Sequence, residues 1–148
     1  MASKGTREYI SKLEQNNDIR RIKREVDWNV ELIHTAKITE EKGGPALLFE
    51  NVKDYDIPVL TSQYGTLASF AREFDMPCEA SMHEITMRWT ELIGRDSIPP
   101  KEVAKGPILE NIIEGDKVDL FRFPAPKFYP NDECSLGSGN RSYYRVSG

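Results

Sequence analysis

Two short apolar runs decide the fold: PALLF at residues 45–49 and IPVLT at residues 57–61. Between them lies the polar stretch at residues 53–56, whose aspartate side chains can hydrogen-bond nearby backbone and favour a turn. Two such runs separated by turn residues predict a β-hairpin. Because Pro58 has no backbone N–H to donate to a neighbouring strand, we expect the second strand to lie at an edge or a bulge.

The residues before the hairpin predict a helix and then a strand. Thr6 can cap the helix, whose apolar residues recur at three- and four-residue spacing, and the turn formers at residues 16–18 end it. Residues 19–26 predict a strand rich in charge. Charged side chains discourage unwanted strand pairing, so this strand is also expected at an edge.

A second helix is predicted between this strand and the hairpin. Asp27 or Asn29 can cap it, and the glycine pair at residues 43–44 ends it. Its repeating face is predicted to consist of Val30, Ile33 and Lys37.

Two further helices are predicted after the hairpin. Thr66 can cap the first and Ser81 can cap the second. The second helix has an apolar stripe of Ile85, Trp89, Leu92 and Ile93. Residues 107–113 then predict a strand, and residues 119–121 predict one helical turn.

The fold class that follows is α/β (α+β), a small mixed β-sheet flanked by helices. Residues 1–126 are expected to form this domain, and residues 127–148 form a Pro/Gly-rich segment. The composition of that segment is not typical of residues that complete a hydrophobic core, so we expect something else to pack on it.

Composition excludes several classes of protein. The net charge is −4 over 148 residues, which argues against a nucleic-acid partner. The basic run at residues 20–24 is a local exception that fits an exposed strand edge better than an anion site. No apolar run approaches the roughly 18 residues of a membrane span. Two cysteines, Cys78 and Cys134, are too few for a disulfide framework, so a cytoplasmic location is expected.

Self-contained catalytic chemistry is hard to find in the residues. Cys78, His83 and Glu84 could form a zinc set, but a surface histidine beside a helix cap fits the pattern better. The glycine pair before the hairpin precedes a strand, so it lacks the helix N-terminus that binds phosphate. Residue patterns alone therefore indicate an α/β domain without an evident active site.

Three stretches together resemble the N-terminal region of the UbiD-type decarboxylases. They are GPALLFENVK at residues 44–53 with its continuation to Thr61, the segment from Gly106 to Phe121, and FPAPK at residues 123–127. The resemblance runs from about Thr6 to Pro130 and keeps the order of the stretches.

The resemblance implies a chemistry. Enzymes of this family use prenylated flavin mononucleotide, with a divalent metal (Mn²⁺ or Mg²⁺) and potassium at its phosphate. They reversibly decarboxylate aromatic or α,β-unsaturated carboxylic acids. The cofactor supplies the reactive carbon, and the protein orients the substrate and supplies an arginine and two glutamates, one of raised pKa. Homo- or hetero-oligomers are also expected.

Most of that machinery lies downstream of the region that resembles this chain. The resemblance places the metal-binding histidine and glutamate and the catalytic glutamates beyond Gly148, in a split-barrel cofactor domain of which residues 127–148 would be an incomplete start. The family also carries an asparagine five residues before an arginine. Asn140 and Arg145 have this spacing, which implies that Asn140 helps to hold the metal and that Arg145 contacts the cofactor and substrate.

Three functions remain open from the sequence. The chain could be the N-terminal part of such a decarboxylase and inactive alone, or a non-catalytic small subunit that docks on a cofactor-bearing decarboxylase chain. It could also be an unrelated domain that binds a small acid or phosphate through Arg141 and Arg145.

Overall fold

A computed structural model describes residues 5–95, 99–106 and 109–132. Seven helices and strands follow one another in these ranges: α1 (Thr6–Gln15), β1 (Ile19–Ile22), α2 (Glu31–Glu41), β2 (Ala46–Phe49), β3 (Val59–Thr61), α3 (Leu67–Glu73) and α4 (Met82–Ile93). Two 3₁₀ turns lie later, at Gly115–Lys117 and Leu120–Arg122. The second is the helical turn predicted near residue 120.

The sheet has three strands in the order β1-β2-β3. β1 and β2 are parallel, with Ile19 opposite Ala46, and α2 is the crossover between them. β2 and β3 are antiparallel, with Phe49 opposite Val59, which confirms the predicted hairpin. The sheet is therefore mixed, and helices flank it as expected. Pro58 immediately precedes the edge strand β3, where its missing N–H is tolerated.

Strand β2 carries the centre of the core because it has a neighbour on both sides. All four of its residues are buried. Leu47 and Phe49 lie in one cluster with Leu32 of α2. Ala46 lies in a second cluster with Tyr9 and Leu13 of α1. The continuous apolar run PALLF follows from this position, since a strand covered on both faces has no polar side.

Helices α3 and α4 form a smaller cluster beside the sheet. Ala71, Ala80 and Ile85 are its buried residues, and Phe70 and Phe74 pack against them. The caps predicted for these two helices, Thr66 and Ser81, are both present. The hydroxyl of Thr66 accepts a hydrogen bond from the backbone N–H of Ser69, and that of Ser81 accepts one from Glu84. The cap predicted at Thr6 was wrong, because Thr6 is the first residue of α1 and the N-cap is Gly5, which has no side chain to accept a bond.

The predicted inward face of α2 was wrong by one residue. Leu32 and Ala36 are buried there, whereas Lys37 is exposed. No side chain caps this helix, and Val30 stands at its N-cap with φ 73°. The helix begins at Glu31, after the positions expected for the cap, so Val30 lies outside it, and Leu32 packs in the cluster around Phe49.

The region after α4 departs most from the prediction. Of the strand predicted at residues 107–113, the described part, residues 109–113, is not a strand. Residues 99–106 and 109–132 are mostly irregular and are attached to the domain at Lys127, whose backbone N–H donates to the carbonyl of Trp28 at 3.0 Å. No helix in the described ranges is both long enough and apolar enough to cross a bilayer.

Candidate functional site

The two residues singled out by the family resemblance lie outside the described residues. Asn140 and Arg145 both fall after residue 132, so the structure does not place them. The assignment of Asn140 to a metal and of Arg145 to a cofactor and substrate stays a prediction. The candidate chemistry of the described part therefore rests on its own charged groups and cavities.

An ion pair joins the sheet to α3. Asp18, which precedes β1, pairs with Arg72 of α3, and both side chains are about three-quarters buried. The Arg72 Nε also donates to the Cys78 thiol, with 3.1 Å between Nε and Sγ. Arg72 is thus held on two sides, by a carboxylate and by a sulfur, and it ties the α3–α4 unit to the start of β1.

A cavity opens on each side of this ion pair. One, of about 370 Å³, lies between α1 and α3 and is lined by Tyr9, Leu13 and Met76 among others. The second, of about 440 Å³, lies where β1 and β2 begin and β3 ends. Because the two strands are parallel, their starting ends meet at one edge of the sheet and shape this second cavity together.

The cavity at the strand ends is the more polar of the two in its lining residues. Arg20, Ser62, Thr66 and Ser69 contribute a guanidinium and hydroxyl groups to it. Thr66 and Ser69 bond to one another in the α3 cap. Ser62 has φ 58° and a buried hydroxyl that has no hydrogen-bond partner among the residues that the structure describes. Such a lining can hold polar groups, but hydroxyls and a guanidinium do not supply an acid or base that titrates near neutral pH.

The described acidic groups with a resolved pKa shift also include none suited to donate a proton near neutral pH. Every described carboxyl whose pKa shift is resolved has a lowered pKa. Hydrogen bonds from the backbone N–H of Asn29 and from Lys53 lower the pKa of Asp27, and bonds from Ser81 lower that of Glu84. Glu31 and Glu91 behave alike, through the Asp27 N–H and arginine side chains. A carboxyl that protonates a product carbon needs a raised pKa instead, and none of these groups has one.

The zinc set considered from the sequence does not assemble. Within the described ranges, no three His, Cys, Asp or Glu side chains come close enough together to hold a metal ion. Cys78 accepts from Arg72, and the Glu84 carboxylate accepts from the Ser81 hydroxyl and N–H. Cys78 and Glu84 thus have structural partners, and His83 is exposed beside the α4 cap.

A row of five aromatic rings crosses the α1–α3–α4 side of the molecule. Its members are Tyr9, Tyr64, Phe70, Phe74 and Trp89, with successive ring centroids 5.4–5.8 Å apart. The Tyr9 hydroxyl donates to the Gln63 carbonyl at 2.8 Å, and burial raises the pKa of Tyr9 to about 12. The sequence analysis did not predict this row, because only Phe70 and Phe74 lie at helical spacing and the other three contacts join residues of different helices and loops.

Comparison with solved structures finds the same fold in a decarboxylase. Vanillic acid decarboxylase of Sedimentibacter hydroxybenzoicus (ShVdcCD), in an open form with truncated ShVdcD, matches with a TM-score of 0.78 and 25% identity over 87% of this chain and 28% of that one. Another open form matches with a TM-score of 0.71 and 25% identity, over 78% of this chain and 26% of that one.

A third match is too short to bear on the fold. It is an evolved dimeric form of the UbiD-class enzyme HmfF from Pelotomaculum thermopropionicum in complex with prFMN. The identity is 36% over 49% of this chain and 17% of that one, with a TM-score of 0.45.

The family relationship rests on the sequence profile. The chain spans little more than a quarter of the vanillic acid decarboxylase chains that it matches. The profile of the 3-octaprenyl-4-hydroxybenzoate carboxy-lyase N-terminal domain matches residues 10–89, which is more than half of the 148 residues and includes the whole sheet. The chain therefore belongs to the UbiD family and contains that family's N-terminal domain.

Proposed function

We propose that this chain is the N-terminal part of a UbiD-type (de)carboxylase that acts on aromatic or α,β-unsaturated carboxylic acids, and that it is inactive by itself. The observation that carries the proposal is the family match over residues 10–89. The name of the structural relative, vanillic acid decarboxylase, supports an aromatic acid as substrate. A cytoplasmic location fits the scarcity of cysteine.

The described residues do not fit the family's cofactor on their own. They contain no group of three metal-ligating side chains, and the carboxyls with a resolved pKa shift all favour the ionised form. Prenylated flavin mononucleotide, Mn²⁺ or Mg²⁺ and potassium are therefore assigned to a cofactor-binding region outside the described residues. The segment at residues 127–148 leads toward that region, with Asn140 proposed as a metal ligand and Arg145 as a contact of cofactor and substrate. No reaction step is derived from them.

Cofactor retention tests the proposal directly. The purified chain is incubated with prenylated flavin mononucleotide, Mn²⁺ and K⁺, then desalted, and its absorbance spectrum is recorded. We expect no flavin absorbance to remain with the chain. A full-length UbiD-type decarboxylase treated in the same way is the positive control. Stoichiometric retention of flavin, or release of carbon dioxide from an aromatic acid by the chain alone, would contradict the proposal.

A second candidate function is a non-catalytic small subunit on a cofactor-bearing decarboxylase chain. The solved relative favours it, since that assembly is named ShVdcCD and one of its structures includes truncated ShVdcD. Co-purification of the tagged chain from its source cells distinguishes the two functions. A UbiD-type chain bound in fixed ratio supports a subunit, and recovery of the chain without one counts against it.

A further inference from the structure

The turn that leads into α2 contains a strained residue. Val30 has φ 73° and ψ −43°, and the backbone N–H of Glu31 donates to the carbonyl of Asn29 at 2.9 Å. This bond closes a three-residue γ-turn around Val30, in the form that is rare because its backbone is strained. A left-handed φ is least favourable for a bulky or β-branched side chain such as that of valine. Such a conformation persists only where the surrounding contacts favour it.

The same turn holds a segment that lies about a hundred residues later in the chain. Residues 124–127 are partly buried. Lys127 forms a parallel β-bridge with Asn29, and its backbone N–H donates to the carbonyl of Trp28 at 3.0 Å. That carbonyl also accepts the N–H of Val30 at 3.1 Å. The strained residue and the attached segment therefore share one acceptor.

The sequence offers α2 an unstrained start that the structure leaves unused. Asparagine is among the best N-cap residues, yet the side chain of Asn29 does not cap this helix, which begins at Glu31. The ψ of Val30 is already that of a helix. Rotation of the peptide plane between Asn29 and Val30, which brings φ to about −60°, would therefore add Val30 to the helix.

This rotation changes the contacts on both sides of the turn. Asn29 would then stand at the N-cap, where its side chain can accept the N–H of Leu32. The same rotation carries the N–H of Val30 away from the Trp28 carbonyl and disrupts the turn that pairs with Lys127. One conformation thus has the bridge and the strain, and the other has the cap and neither.

We propose that the start of α2 is a two-state latch, in which release of residues 124–127 is coupled to a helical Val30 and an Asn29 cap. In the latched state, which the structure shows, Val30 is left-handed and Lys127 is bonded to the turn. In the released state α2 is longer by one residue and residues 124–127 leave the turn. The latch does not depend on the proposed decarboxylase function.

Amide hydrogen exchange of the full chain, followed by NMR, measures how often the latch opens. The readout is the backbone N–H of Lys127, and the amides of β2 report unfolding of the whole domain. Val30→Gly removes the cost of the left-handed φ and should slow exchange at Lys127 by about five- to thirtyfold. Asn29→Ala removes the cap of the released state and should slow it by about fivefold. Because the side chain of Asn29 is exposed and caps nothing in the latched state, a purely structural role predicts no such slowing.

Asn29→Ser and Ser62→Gly are the matched controls. Serine caps a helix about as well as asparagine, so Asn29→Ser should match the wild type within about twofold. Ser62 is also left-handed, with φ 58°, but it lies where β1 and β2 begin, at the opposite end of the sheet. Ser62→Gly should therefore leave exchange at Lys127 unchanged within about twofold. Unchanged or faster exchange at Lys127 in Val30→Gly or Asn29→Ala, or equal slowing in either control, would overturn the proposal.

Discussion

The two ends of the described chain use apolar residues in opposite ways. Within the described ranges, all thirteen buried hydrophobic residues lie from Tyr9 to Ile85. From residue 86 to residue 132, large apolar side chains are present but none of the described ones is buried. The first region has a central strand with neighbours on both faces, and the second has none. Burial is thus decided by the availability of an opposing surface, and a similar composition yields a core in one place and, in the other, an exposed segment at residues 99–106 and 109–132, here called the arm.

The largest expected contrast compares one phenylalanine from each region. Phe49 is fully buried in the central strand, and Phe128 on the arm is more than half exposed. Phe49→Ala should lower the free energy of unfolding by about 3–5 kcal/mol, because it leaves a cavity in the core. Phe128→Ala should change it by less than about 0.5 kcal/mol. Urea unfolding followed by circular dichroism measures both. Equal losses would show that the arm belongs to the same cooperative unit.

The next effect concerns the junction of sheet and α3. Arg72→Leu removes the partner of Asp18 and leaves a carboxylate largely buried without its counter-charge. We expect a loss of about 2 kcal/mol, in the range of a hydrogen bond to a charged group. Arg95→Leu is the control, since its pair with Glu91 is more than half exposed and should contribute no more than about 0.5 kcal/mol. Thermal unfolding measures the melting temperature of each variant. Similar melting temperatures for the two variants would mean that the buried pair does not hold the sheet and α3 together.

Helix caps give a smaller contrast. Ser81→Ala removes the hydroxyl that accepts from the Glu84 N–H at the start of α4, and about 1 kcal/mol of stability should be lost. Asp119→Ala removes a similar bond, 2.9 Å from the Asp119 carboxylate to the Phe121 N–H, on the arm. That change should leave global unfolding unaltered, because exposed segments open locally at little cost. A loss of the same size from both would argue against a separate arm.

The smallest effect is on the pH dependence of the first region. The pKa of Asp27 is lowered from 3.8, so this group contributes stability that is present above pH 3.8 and is lost as the pH falls through that value and then through the lower folded-state pKa. Asp27→Asn should therefore flatten the fall in the urea midpoint between neutral pH and acid. Identical pH profiles for wild type and variant would show that the bonds from Asn29 and Lys53 are not formed in solution.

Much of the fold could be predicted from local patterns, and little of the site could. The hairpin, its edge position, the first helix and the caps at Thr66 and Ser81 depend on neighbouring residues, so their signals lie within a few positions of each other. The inward stripe of α2 was missed by one residue because periodicity gives the spacing of a helical face but does not say which of two adjacent stripes packs on the sheet. The exposure of Trp89 was missed because periodicity marks an apolar face without saying what covers it.

The cavities and the Asp18–Arg72 pair were not predicted at all. They join α1, the strand ends and α3, which are distant in sequence, and no spacing rule connects them. The family resemblance was confirmed by the profile match. The roles of Asn140 and Arg145 stay predictions, because both residues lie beyond the described part of the chain.

The positions of the two tryptophans have a practical consequence. The indole of Trp28 stands edge-on to Tyr55 beside the buried cluster around Phe49, whereas that of Trp89 meets water at the end of the aromatic row. The molecule thus contains two native fluorophores, one in each environment. Replacing either with phenylalanine leaves a single reporter, so that emission wavelength and quenching by iodide follow the closed core or the open helix surface separately, without any attached dye.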